Sequence, residues 1–292
     1  MKNQKRQRYG LPANGARTQP HNTQCDRSDS AALGSSDQIH GLIPVLEALR
    51  AGKRSIESIA VATGARHERL RELLTLAREA RVPVHRVPRI SLDRSSGETS
   101  HQGVVARTSA ARYRDADELL ELLAARVGTD QGPLALGLDG IEDPRNFGAI
   151  LRTAECAGID GVFIPERRAV GLTDTAAKAA AGAIEYVPVA RVTNLVRLIE
   201  QMKERNIWVV GAAGDGALNY TEWDWTLPTA LFLGSEGSGL HRLVRERCDS
   251  LLRIPMVGRL NSLNVSVAAG VLLYEALRQR MQAKQTAKQL GS

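Results

Sequence analysis

Three short stretches of the 292-residue chain crowd glycines and polar side chains together as ligand-binding loops do. The first is Asp139-Gly-Ile-Glu-Asp-Pro-Arg-Asn-Phe-Gly148, with Arg152 one turn into the pattern that follows. The second is Gly234-Ser-Glu-Gly-Ser-Gly-Leu240, and the third is Pro255-Met-Val-Gly-Arg-Leu-Asn-Ser-Leu-Asn264. Their spacing excludes several chemistries. Gly234–Gly239 and Gly211–Gly216 both read G-x-x-G-x-G, which is neither the dinucleotide fingerprint G-x-G-x-x-G nor a phosphate loop ending in GK[ST]. That speaks against a nucleotide hydrolase or an ordinary dehydrogenase. No serine sits in a G-x-S-x-G elbow, and no histidine except His241 lies near Ser235, Ser238 or Ser262. His241 itself reads as a surface residue at a polar helix start.

Each polar stretch follows an apolar run of strand length: Leu134–Leu138, Thr229–Gly234 and Leu251–Ile254. Further strands are expected at Gly161–Ile164, Tyr186–Val189 and Ile207–Gly211. Helical patterns alternate with them at Phe147–Ala157, Asp174–Ala183, Asn194–Arg205 and Leu240–Arg247, and a long last helix runs from about Leu263 to Gln282. Short continuous apolar strands alternating with helices predict an α/β fold, a mostly parallel sheet covered on both faces. In that architecture ligands bind outside the carboxyl ends of the strands, where the three stretches fall.

A smaller α/β unit precedes it. Ile39, Leu42, Ile43, Leu46 and Leu49 follow helical spacing up to Gly52. Strands are expected at Ser55–Ala62, Val82–Val87 and Gly103–Thr108, with a helix at Arg66–Ala80 and a polar loop at Asp93–Gln102. That helix is dense in Arg and Glu, a pattern that suits a solvated, salt-bridged face. The expected division is a basic tail (1–36), a small α/β domain (37–112), a linker (113–132) that carries a charged helical patch at Asp115–Arg126 and then a joint at Gly128–Gly132, a main domain (133–285) and a short tail (286–292). The first tail is rich in Gln, Asn, Ser and Gly and holds no Val, Ile or Phe, so it cannot offset its ordering entropy by burial. It serves either as a disordered tail or as a basic arm that grazes RNA phosphates. It has no apolar segment of a secretory signal.

Composition agrees with a globular protein, at 43% hydrophobic and 24% charged residues, and the apolar runs fall far short of a membrane span. The net charge of +7 favours a polyanionic partner. Aromatic residues make up only 4%, which leaves RNA contact to charge and backbone, and Trp223 and Trp225 to local packing. Cys25, Cys156 and Cys248 are far apart and lack CxxC pairing, against a disulfide framework or zinc site, and fit a reducing compartment. Cys156 and Cys248 are expected to pack between helices. No histidines pair at metal-ligand spacing, so no metal is expected.

Taken in order, Asn146-Phe-Gly-Ala-Ile-Leu-Arg152-Thr-Ala-Glu, Leu233-Gly-Ser-Glu236-Gly-Ser-Gly-Leu240 and Ile254-Pro-Met-Val-Gly-Arg-Leu-Asn-Ser262-Leu-Asn264-Val-Ser-Val-Ala-Ala269 resemble the three motifs of the SpoU family of RNA ribose 2′-O-methyltransferases, within the SPOUT superfamily. The stretch Ile39-His-Gly-Leu-Ile-Pro-Val-Leu-Glu-Ala-Leu-Arg-Ala-Gly52 is similar to the substrate-binding domain of the 23S rRNA guanosine-2′-O-methyltransferase branch. The resemblance spans about residues 37–283. It implies a sheet tied in a deep trefoil knot, rare under general topology rules, and a homodimer formed through the knotted domain. The apolar stripe Val267, Val271, Leu272 and Tyr274 on the last helix suits either that dimer or a monomer core.

The resemblance also assigns roles. S-adenosylmethionine is the implied methyl donor, cupped by Gly234, Ile254, Met256 and Leu263. Asn146, Arg152, Glu236, Ser262 and Asn264 match the family's polar catalytic set. Arg152 is cast as the base, yet a guanidinium holds its proton in proteins, so a phosphate clamp is the competing role. The implied substrate is 23S rRNA, at a guanosine, in the cytoplasm. Another rRNA nucleotide, a tRNA, or a non-catalytic RNA-binding assembly factor remain as alternatives.

Overall fold

A computed structural model describes residues 37–96, 101–167 and 169–290; the expected basic tail, 1–36, lies outside the described residues. The described residues form two sheets. The first has strand order β1-β4-β2-β3, built from β1 (Asp37–His40), β2 (Ile56–Ala62), β3 (Val84–Val87) and β4 (Val104–Thr108). Helices α1 (Leu42–Ala51) and α2 (Leu70–Glu79) cover it through Val45, Leu46, Leu73 and Ala77, and α3 (Arg89–Ser96) adds Leu92. Ile39 belongs to β1, not to the expected helix. Gly41, at φ 102°, turns the chain between them and its N–H donates to Val104 O at 2.9 Å. Only glycine takes that backbone conformation at low cost.

The second sheet has order β7-β6-β5-β10-β8-β11-β9, with every pairing parallel. Its strands are β5 (Leu134–Asp139), β6 (Gly161–Pro165), β7 (Val189–Val192), β8 (Trp208–Ala212), β9 (Leu218–Asn219), β10 (Thr229–Gly234) and β11 (Ser250–Arg253). β5 is buried along its whole length and β10 nearly so, the signature of strands covered on both faces. One face packs α5 (Pro144–Cys156), α6 (Asp174–Ala180) and α9 (Val265–Leu290). The other packs α4 (Ala116–Ala124), α7 (Leu195–Glu204) and α8 (Arg242–Arg247). This strand order fits the knotted sheet that the resemblance implies.

Several elements differ from expectation. The strand expected at Tyr186–Val189 is instead a 3₁₀ turn at Ala183–Glu185 followed by β7, because Val189 pairs with Val162 and sets the strand's start. β9 is two residues long, too short for any period to show. The polar loop at 93–102 begins inside α3, and its His101 is fully buried, donating from Nε2 to Asp93 at 2.8 Å and accepting from Gly103 N. Residues 113–132 hold α4, whose Leu119, Leu120 and Leu123 are core, so this stretch packs as part of the large sheet's cover. The last helix runs eight residues beyond Gln282. Cys156 is exposed rather than packed, whereas Cys248 is partly buried and burial pushes its thiol up to about 12.

The two sheets are joined at a small polar contact. Tyr186 Oη donates to Glu47 at 2.7 Å, and Arg54 meets Glu185 at 2.9 Å with side chains only 8% and 3% exposed. Burial pushes the Glu185 carboxyl upward, and Arg54 opposes that shift. Arg280, on α9, donates to the carbonyls of Gly132, Trp225 and Leu227, tying the helix to the chain entering β5. Burial lowers its pKa to about 10. Trp225 is fully buried and Trp223 packs edge-on to Trp208 at 6.2 Å, as local packing requires.

Candidate functional site

Gly234 pairs with Asp139 in the register of β10 and β5, so the loops after these strands leave the sheet side by side. After β5 the chain enters α5 through Asp143, whose carboxylate accepts from Arg145 N at 2.9 Å, with Pro144 in the first turn. That start places Asn146 in the first turn, facing inward at 9% exposure. After β11 the chain crosses to α9, which Asn264 opens: its Oδ1 accepts from Ser266 N at 3.0 Å. With Oδ1 engaged by backbone, the amide orientation is fixed and Nδ2 must look the other way. It donates to Asn146 Oδ1 at 3.0 Å and to Glu236 Oε1. Asn146 Nδ2 donates to the same Oε1 at 3.0 Å. A closed triangle of Asn146, Glu236 and Asn264 therefore joins all three stretches.

The loop carrying Glu236 is folded tightly on itself. Ser235 N donates to Gly239 O at 3.1 Å, Gly239 N donates back at 2.9 Å, and the hydroxyls of Ser235 and Ser238 lie 2.7 Å apart. A Cβ on Gly234 would lie 2.0 Å from the Gly239 carbonyl carbon and 2.1 Å from Leu240 N. Both are backbone atoms, so nothing but glycine fits. Two cavities flank this loop. One, about 360 Å³, is lined by Gly234, Ile254, Met256, Ser262 and Leu263 together with Glu236. The other, about 300 Å³, is lined by Asn146, Glu236 and the loop after β5. Ser235, Glu236, Ser238 and Val265 line both, so Glu236 brings the triangle to their common wall, with Asn146 on the side of the smaller cavity.

The larger cavity also takes in Ala212, Gly214 and Asp215, which sequence reasoning missed. Arg245 pairs both its terminal nitrogens with Asp215, at 2.9 and 2.8 Å, and holds that carboxyl below its ordinary value. The Gly211–Gly216 run was the available signal. Arg152 stands apart from the rest of the expected set. It is exposed on α5, lines neither cavity, and makes no hydrogen bond or ion pair among the described residues. His241, by contrast, is more than a surface residue. Its ring Nδ1 donates to the buried Asp139 at 2.8 Å while its backbone N donates to the other carboxylate oxygen at 2.7 Å.

A parallel-sheet scaffold with two adjoining cavities at its strand ends and a mixed-sheet domain before it is the plan of a two-domain α/β protein with a ligand site at the sheet's rim. Known proteins carry the same plan. The sequence pattern of the SpoU rRNA Methylase family matches residues 133–274, and that of RNA 2′-O ribose methyltransferase substrate binding matches 38–114. YacO of Bacillus subtilis, a TrmH-family tRNA/rRNA methyltransferase, is 45% identical over 245 residues, covering 84% of this chain and 96% of its own. The SpoU methyltransferase AviRb of Streptomyces viridochromogenes, solved with AdoMet, superposes with a TM-score of 0.68 at 26% identity, over 84% of this chain and 90% of that one. An AdoMet-bound rRNA methyltransferase from Sinorhizobium meliloti gives 0.67 at 26% identity, over 83% and 87%. The chain belongs to the SpoU (TrmH) family of RNA methyltransferases.

Proposed function

We propose that the chain methylates the ribose 2′-hydroxyl of a guanosine in 23S rRNA, as a cytoplasmic homodimer using S-adenosylmethionine. The observation that carries this reading is the Asn146–Glu236–Asn264 triangle, whose Glu236 lines both cavities, one for the donor and one for the substrate. The larger cavity suits the donor. Its size is that of a cofactor site, Ile254, Met256 and Leu263 give it apolar walls, and the absence of a Cβ at Gly234 lets the loop backbone at Gly239 and Leu240 fold close beside it. When bound there, S-adenosylmethionine supplies a methyl group on a sulfonium, open to in-line attack.

The chain's own residues then align the reactants. Holding a hydroxyl at near-attack geometry supplies roughly 7–11 kcal/mol of barrier reduction. Asn146 and Asn264 hold Glu236 through one oxygen, leaving Oε2 for the substrate ribose, and Ser262 lines the donor side of the wall. Arg152, exposed and unpaired among the described residues, is placed to grip an RNA phosphate as a fixed cation rather than to surrender a proton. The dimer reading rests on α9. Val267, Tyr274 and Met281 recur every seven residues and are 51%, 52% and 52% exposed, whereas Leu272 is fully buried in the monomer core. On the small domain α2 is salt-bridged at Glu72, which pairs with Arg50, while Arg69, Arg71 and Arg78 lie exposed without an ion pair among the described residues. That leaves them for RNA phosphates.

Ribose-methylation mapping of rRNA and tRNA from cells lacking this protein tests the reading. Loss of one 23S rRNA guanosine methylation, restored by the wild-type chain, is the expected result. A lost tRNA methylation would move the substrate, and unchanged maps would favour an assembly factor.

A further inference from the structure

We propose that the 300 Å³ cavity holds the target nucleobase and that His241, presented by Asp139, makes it select guanine. The proposal rests on the function put forward above and names the feature that reads the substrate.

The cavity adjoins the donor site through Glu236, Ser235 and Ser238, so a nucleotide whose ribose meets the triangle has its base directed into the space beside it. A volume near 300 Å³ is at the size of a site for a single small ligand. Enzymes that modify RNA in this way splay the nucleotide out of its stack and read its edges. The lining makes the choice of base. Among the described residues it contains the carboxylates of Glu142, Asp143 and Glu236 and the hydroxyl of Ser238, and neither lysine nor arginine. Such a wall repels phosphate and welcomes N–H donors.

His241 adds a ring whose tautomer is set by its partner. The Asp139 side chain is only 6% exposed, and each of its oxygens accepts a hydrogen bond from His241. A carboxylate only accepts, so the ring carries a hydrogen on Nδ1, and in its neutral form it offers Nε2 as a lone pair. The ring also rests on the backbone of Gly140, where an added Cβ would come within 3.3 Å of its Cε1. It is thus held on two sides while its side chain stays 51% exposed toward solvent and cavity. Guanine answers this lining best, because its Watson–Crick edge carries adjacent N–H donors at N1 and the 2-amino group. Adenine places a bare ring acceptor at N1, which would meet Nε2 and the carboxylates lone pair to lone pair. Rejection of that kind is what a site built from acceptors achieves.

Two measurements test this on the full-length protein. Long-range ¹H–¹⁵N spectra of the free protein should show His241 as the Nδ1–H tautomer, and millimolar GMP should shift its Nε2 resonance while AMP at equal concentration leaves it unmoved. The second uses RNA carrying guanosine or adenosine at the nucleotide found by mapping. His241→Ala should narrow the guanosine-to-adenosine rate ratio roughly tenfold, the worth of one hydrogen bond, with S-adenosylmethionine affinity unchanged and a lower thermal midpoint, because one Asp139 oxygen loses its partner. His241→Gln, which keeps an acceptor, should recover part of the ratio. An unchanged ratio in His241→Ala, or equal shifts with GMP and AMP, overturns the proposal. A wild-type protein that methylates no RNA overturns the function reading instead, and the GMP and AMP spectra still decide the cavity.

Discussion

In the four-stranded sheet, β3 exposes His85 and Arg86 between half-buried valines, and β2 alternates buried with partly exposed positions. In the seven-stranded sheet, β5 and β10 bury almost every side chain, and polar groups appear only where the strands end. The difference follows from cover. A sheet covered fully on one face and only in part on the other, where α3 adds Leu92, can offer its remaining surface and its helices to a long polymer, whereas a sheet covered on both faces confines its chemistry to the rim. On the proposed function one chain separates grip from reaction: arginines exposed and unpaired among the described residues in the small domain, and a closed polar triangle beside two cavities in the large one.

The largest expected effect lies at the rim. Arg152→Ala should reduce methyl transfer by more than about hundredfold, as removal of a preorganised charge does. Donor binding should be unchanged, because Arg152 lines neither cavity. Single-turnover rates and equilibrium titration with S-adenosylmethionine check both halves; wild-type turnover would remove Arg152 from the mechanism. Next comes Gly234→Ala. Its Cβ meets backbone 2.0–2.2 Å away, so the loop must shift, at a cost of about 1–3 kcal/mol in stability. Donor affinity should fall at least tenfold, read by calorimetry.

Separating the regions gives the third test. A fragment from Ser109 to Ser292 keeps α4 and should fold, bind the donor and lose most of its activity on rRNA, since phosphate contacts dominate RNA affinity. A fragment from Gln131 removes Leu119, Leu120 and Leu123 from the core and should be destabilised by several kcal/mol, at about 2–5 kcal/mol for each large apolar side chain lost. Equal rRNA activity in the Ser109 fragment and the full chain would deny the small domain its role. The smallest effect concerns the contact between the regions. Burial raises the Glu185 carboxyl in the folded state, so its contribution to stability is complete below the ordinary carboxylate value and is lost as pH rises through the raised one. Glu185→Gln should flatten that part of the dependence of the thermal midpoint on pH, measured between about pH 4 and 7 against wild type.

The central strands, the helices between them and the three polar stretches were legible in the sequence because each is a local pattern: an apolar run, a helical period, a cap such as Asp143-Pro144. Gly234 and Glu236 could be named for the same reason. Misreadings came where a distant partner decides the local state. Ile39 fits a helical period, but pairing with Ala106 draws it into β1. Val189 starts a strand because Val162 lies beside it, and the helical patch at Asp115–Arg126 reads as part of a linker until Phe163 and Phe232 supply the surface it covers as α4.

What the sequence determined by itself was the inventory: an α/β chain, basic, with glycines and amides after its strands. Only the tertiary structure decided which of those groups share hydrogen atoms. Asn146, Glu236 and Asn264 meet because β5 and β10 end in register and Asn264 turns its amide while capping α9. Arg152, on the same helix as Asn146, is left exposed, and His241 is drawn to an aspartate on another strand. Spacing along a chain fixes which residues can lie on one face of one element. Hydrogen bonds between elements depend on register and helix placement, which are set by how the whole core packs.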